Sequence, residues 1–128
     1  MKAIELLEKY PKVADTINEF YHTKLISSLH EDDTIPEDFR ELVKSQEFDN
    51  EYVAKFIDEN PRFLFDVFDM NEIYIQTPIH WDQGEAMFGY SIHRPEQPEF
   101  VSINRYNYRD IAEKFAVEKA FEYLNDQI

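Results

Sequence analysis

The chain has 128 residues, 43% of them apolar and 16% aromatic, with thirteen Lys and Arg against twenty-seven Asp and Glu for a formal charge of -14, and no cysteine. This length suits one domain spanning 1–128, whose core needs neither disulfide nor metal, and the missing thiols exclude disulfide scaffolds, thiol catalysis and thiolate metal sites. Eleven Phe, eight Tyr and one Trp give enough buriable area to offset the entropy of ordering, which excludes a disordered acidic chain, while the negative charge repels phosphate backbones, so direct nucleic-acid binding is not expected.

The acidity is spread along the chain: residues 1–71 hold eight bases and seventeen acids, and residues 72–128 hold five and ten. Such a surface either maintains solubility or attracts a basic partner. No stretch approaches the ~18 apolar residues of a membrane span. Glu5 and Glu8 break the apolar run that a signal peptide would need, so the expected location is cytoplasmic, without membrane association.

Through residue 71 the apolar residues recur at helical spacing. Ile4, Leu7 and Tyr10 predict a short helix interrupted by Pro11, and Val13, Ile17, Phe20, Tyr21, Lys24 and Leu25 predict a longer one reaching about Leu29. A loop is expected at 30–34. Thr34 with Glu37 forms a capping box, and Pro36 is tolerated in a first turn, so a helix carrying Phe39, Leu42 and Val43 follows. Asp49 is placed to cap a helix with the stripe Val53, Phe56 and Ile57. Asn60-Pro61 ends that helix and starts another with Leu64, Val67 and Phe68.

From Glu72 the periodicity becomes that of strands. Ile73, Ile75, Thr77 and Ile79 alternate with polar or bulky partners, D-Q-G-E supplies a turn at 82–85, and Ala86, Phe88, Tyr90 and Ile92 alternate in turn. Closing the hairpin there sets Ile79 against Phe88, Thr77 against Tyr90 and Ile75 against Ile92, all on one face. A second loop at 95–98 sets Ile92 against Val101 and Tyr90 against Ile103, carrying the same face onto a third strand. The expected meander comprises 72–79, 86–93 and 99–104, with Pro78 confined to an edge strand. Asn107 with Asp110 then caps a closing helix of about 108–125, with Ala112, Phe115, Ala116, Ala120, Tyr123 and Leu124 as its stripe. The fold class is α+β: a helical part, 1–71, packed with a β-β-β-α part, 72–128.

Few constellations suggest chemistry. His80, Asp82, Glu85 and His93 invite a metal reading, but the register faces His80 with Met87 and His93 with Tyr74, which parts the two imidazoles by roughly 20 Å. His22 and His30 lack helical ligand spacing. Glu31-Asp32-Asp33 reads as a solvated run, and Asp66 and Asp69 read as an ion pair of Arg62 with Asp66 plus a helix-end cap. No serine lies in a nucleophile elbow, and neither glycine lies in a phosphate loop. No catalytic residue, metal ligand or cofactor is expected.

One surface stands out. On the sheet face away from the core alternation, the register lines up Tyr74, His93 and Phe100 in one row and His80, Met87 and Tyr106 in another, with no acid among them. In so acidic a chain this face is a candidate contact surface. With Trp81 at the hairpin loop, Tyr74, His80, His93, Phe100 and Tyr106 are the expected partner-binding residues, provided the N-terminal helices leave the face open.

Residues 49–126 run α-β-β-β-α, and RDIAEKFAVEKAFEYLND resembles the last helix of double-stranded-RNA-binding domains, which packs on a three-stranded meander. That family's helix opens with clustered lysines, whereas Tyr108-Arg109-Asp110-Ile111-Ala112-Glu113-Lys114 offers two bases and two acids, so the resemblance implies topology and not RNA binding. The hairpin, third strand and A-V-E-K-A-F-E-Y-L-N ending also resemble small phage or prophage proteins, implying a mobile-element accessory or inhibitor protein. The function expected is a non-enzymatic protein-binding module with a protein partner, a basic one where the acidic surface makes the contact. Two other classes stand beside it: an acidic nucleic-acid mimic that blocks a DNA- or RNA-binding protein, and a small enzyme using unidentified carboxylates.

Overall fold

A computed structural model describes residues 2–31, 33–45 and 48–128. Among the described residues six helices precede, flank and close a small antiparallel sheet, giving the α+β class. Helix α1 (Ala3–Lys9) stops at Tyr10, because a residue before proline is pushed out of the helical region; α2 (Pro11–Glu31) then starts on Pro11, whose missing N–H has no helical partner to lose. The loop expected at 30–34 includes Asp32, outside the described residues, and α2 itself runs on to Glu31.

Helix α3 (Glu37–Ser45) buries Val43 and leaves Phe39 and Leu42 in solvent. Helix α4 (Asn50–Glu59) has the expected cap, with Asp49 Oδ1 accepting the Tyr52 N–H at 2.8 Å. After Asn60-Pro61, α5 (Arg62–Met70) buries Phe63, Leu64, Val67 and Phe68. Its end is capped differently from expectation. Asn71 Nδ2 donates to the Val67 carbonyl at 2.8 Å, and Arg62 lies over the Phe65 ring at 5.2 Å with no Asp66 ion pair among the described residues.

The hairpin register is as expected, but each long strand is divided in two. Strands β1 (Tyr74–Gln76) and β4 (Ser91–His93) pair Ile75 with Ile92; β2 (Ile79–Asp82) and β3 (Glu85–Phe88) pair Ile79 with Phe88. Pro78 has no N–H for the ladder, and only its carbonyl is used, accepting from Gly89 N at 3.2 Å. The tip turn has positive φ at both Gln83 (49°) and Gly84 (82°), as a type I′ hairpin requires.

The third strand differs from expectation by one residue. In β5 (Phe100–Val101), Phe100 faces Ile92 and Val101 faces Ser91, so Val101 and not Phe100 lies on the outer face. The loop is longer than expected because Arg94 leaves the ladder to place its guanidinium 3.6 Å from the Tyr123 ring centroid, and Glu96 takes a left-handed φ of 60°. The slip buries the larger side chain: Phe100 stacks on Tyr90 at 5.9 Å and meets Tyr123 at 6.2 Å, while Val101 is 57% exposed. Beyond Val101 the ladder is only half kept: Ser102 N–H donates to the Tyr90 carbonyl at 2.9 Å, but the Tyr90 N–H goes to Ser102 Oγ at 2.9 Å rather than to a strand carbonyl.

Helix α6 (Arg109–Gln127) begins after Tyr108, which has no side-chain cap bond, so the expected Asn107 cap is not used. Ala112, Ala116, Ala120, Phe121 and Leu124 are buried along it, and the small alanines admit α2, α5, β3 and β4 as neighbours. Phe115, expected in the core stripe, is 43% exposed and stacks on Tyr106; Phe121 takes the core position. The core joins this helix to Leu7, Val13, Ile17, Val53, Val67, Phe68, Ile73 and Ile92.

Candidate functional site

The expected aromatic face does not assemble as a row. Tyr74 and His93 are paired neighbours on the outer face, but the slip puts Glu99, not Phe100, beside His93, with Glu99 Oε1 3.1 Å from His93 Nε2. An acid therefore stands in the face read as acid-free. Phe100 faces inward opposite Ile92, and Tyr106 is bridged to Phe88 and stacked on Phe115 at 4.9 Å, so both lie off the expected outer row. His80 is half-buried over Gly89, where an added Cβ would stand 3.4 Å from His80 Nε2. The N-terminal helices leave the outer face open at Tyr74, Gln76, Glu99 and Val101. Trp81 is 74% exposed near the hairpin tip, with Ile79 half in solvent on the same face.

A different surface is built where helices meet. Between α1, the α4–α5 corner and α6 lies a groove of about 660 Å³. Its floor is apolar: Leu6, Ile57 and Leu64 are buried beneath it, and Phe65 and Val117 remain half-buried. Each wall is a helical stripe. Ala3 and Leu6 come from α1, Leu64 and Phe65 from α5, and Asp110, Glu113, Lys114 and Val117 follow one another at the spacing that keeps one face of α6 turned to the groove.

The rim is acidic. Glu5, Asp58, Asp110 and Glu113 face Lys2 and Lys114, and among the described residues none of the six belongs to an ion pair. Asp110 accepts the Ile111 N–H at 3.0 Å, and carboxylates with no such partner must keep their hydration to remain charged. A ligand that covered them without bringing positive charge would strip that hydration uncompensated, so the rim selects for cations while the floor selects for apolar groups.

Two other basic residues near the sheet, Lys119 and Arg109, are engaged with rings. Lys119 lies 5.0 Å from the Phe100 ring and 3.3 Å from Glu122, and Arg109 lies 5.1 Å from the Phe88 ring. A second groove of about 560 Å³ separates α2 from α5, where Asp66 and Asp69 are found with Glu31, Phe20 and Met70. Among the described residues no group of three or more His, Asp and Glu side chains is placed to hold a metal ion, and no helix is long and apolar enough to cross a membrane.

No known protein family, curated protein or solved structure matches the chain. The groove was not legible in the sequence, because its lining comes from three distant stretches, 2–6, 57–65 and 110–117. The available signal was Phe65 and Val117, two large apolar residues that fall outside the core stripes of their helices.

Proposed function

We propose that the protein is a non-enzymatic protein-binding module that receives a basic partner in the groove between α1, α5 and α6. The observation that supports this is the combination of an apolar floor with a rim of four carboxylates against two lysines, none of which forms an ion pair among the described residues. Apolar burial supplies affinity in such a site, and the charges supply selection and on-rate. A cytoplasmic accessory or inhibitor role, of the kind implied by the resemblance to small phage proteins, suits a module of this size.

The test is comparative capture from a host lysate with the wild-type chain and with Glu5→Lys/Asp58→Lys, which reverses the rim at two exposed positions. Basic proteins retained by the wild type should be lost from the charge-reversed chain and kept by Trp81→Ala. Retention by the rim variant with loss from Trp81→Ala would move the contact to the hairpin and defeat the proposal.

A further inference from the structure

The groove also constrains the form of what enters it, and we infer that its occupant is a short amphipathic α-helix of the partner, with one apolar stripe flanked by Lys or Arg. This rests on the protein-binding role proposed above and goes on to specify the conformation and side-chain pattern of the ligand. All the walls are helices, whose interior backbone N–H and C=O groups are bonded within their own turns. An extended peptide gains its affinity by adding to a strand edge, and no strand contributes to this lining. Laid here, it would cover its own backbone groups with apolar side chains and leave them unpaired. A helix arrives with those groups already bonded.

The shape agrees. From Asp110 to Val117 the α6 wall spans eight residues, whose helical rise of 1.5 Å per residue gives roughly 10 Å, so about two turns of a docked helix can lie along it. Two turns present apolar residues at i, i+3, i+4 and i+7, the pattern that meets a floor of Leu6, Ile57, Leu64, Phe65 and Val117. Carboxylates come from α1 (Glu5), α4 (Asp58) and α6 (Asp110 and Glu113). A helix with bases on both sides of its stripe can meet acids from more than one wall. A second copy of this chain would bring its own charge of -14 to an acidic rim, which opposes self-docking.

The probe is a synthetic helical peptide of about four turns with a leucine stripe and lysine flanks, titrated against the isotope-labelled protein at low salt. Three comparison peptides are used: one with the same composition but dispersed leucines, one with glutamate flanks, and one broken by a central proline. The lysine-flanked helix should shift amides of Leu6, Leu64, Phe65 and Val117, and bind at least about tenfold more tightly than each comparison peptide. Phe65→Ala and Glu5→Lys/Asp58→Lys should each weaken it about fivefold or more, with unchanged spectra elsewhere confirming that the variants fold. Equal binding by the proline-broken or dispersed peptide overturns the inference, as does a shift map centred on the hairpin or a concentration-dependent dimer occupying the groove. If lysate capture depends on the rim while the helix does not bind, the inference fails and the protein-binding role survives. If capture is indifferent to the rim, the role itself fails.

Discussion

Tyr21 is uncharged at neutral pH, yet its surroundings make folding depend on pH. Burial among Phe48, Phe56 and Phe63, and the hydrogen bond that its hydroxyl donates to Tyr52 at 3.4 Å, push its pKa from 10.0 to about 12, with desolvation the larger cause. Because the folded state resists ionisation more than the unfolded chain does, the stability that Tyr21 contributes is whole below about pH 10 and is lost as pH rises towards about 12. Thermal unfolding measured through that interval should show a falling Tm in the wild type and a flatter profile in Tyr21→Phe; parallel profiles would refute the assignment. Gly89 is constrained by space. A Cβ there would meet Ser102 Oγ at 3.3 Å, and that oxygen is held by Tyr90 N–H and by its own bond to the Asn104 carbonyl at 3.0 Å. Gly89→Ala should therefore cost about 1 kcal/mol, and less when Ser102 is also alanine, as a double-mutant cycle in denaturant would reveal.

The pairing of β5 is decided by side chains distant from it in sequence. Alternation alone allows either Val101 or Phe100 to face Ile92, because both are apolar; contacts of Arg94 and Phe100 with Tyr123 on α6 settle the choice. If that account is right, Phe100→Ala should cost about 2 kcal/mol, below the roughly 3–5 of a fully buried Phe, while Val101→Ala should change stability by less than about 0.5. The reverse order in chemical denaturation would restore the other register. The same distinction explains what the sequence disclosed. Helices α4 and α5 and the first hairpin were legible because local signals agreed: the Asp49 cap, the Asn60-Pro61 break, and alternation on both sides of a D-Q-G-E turn. Phe121 was missed because Phe115 satisfied the same helical stripe, and only the approach of Tyr106 shows that Phe115 belongs at the margin. Asp49→Ala should cost about 1 kcal/mol, since the Tyr52 N–H would lose its acceptor.

For the whole molecule, the charge of -14 acts on folding and on binding in opposite directions. Compact acidic chains repel themselves, so screening should stabilise the fold, whereas a cationic ligand at the groove rim is held partly by the field that screening removes. Raising salt from about 0.05 to about 0.5 M shortens the Debye length from roughly 14 to roughly 4 Å, less than the spacing of most surface charges but longer than a direct contact. The Tm of the free protein should rise over this range while affinity for the lysine-flanked helix falls, chiefly through a slower association rate. The apolar floor is insensitive to this screening, so binding should weaken towards a residual plateau rather than vanish. Glu5→Lys/Asp58→Lys acts on both effects at once: it brings the net charge from -14 to about -10 and reverses part of the rim, so it should reduce the salt slope of both quantities. Stopped-flow association and calorimetric unfolding on the same pair of chains would check this. A Tm that falls with salt, or an association rate indifferent to it, would show that neither the global charge nor the carboxylate rim has the role assigned to it.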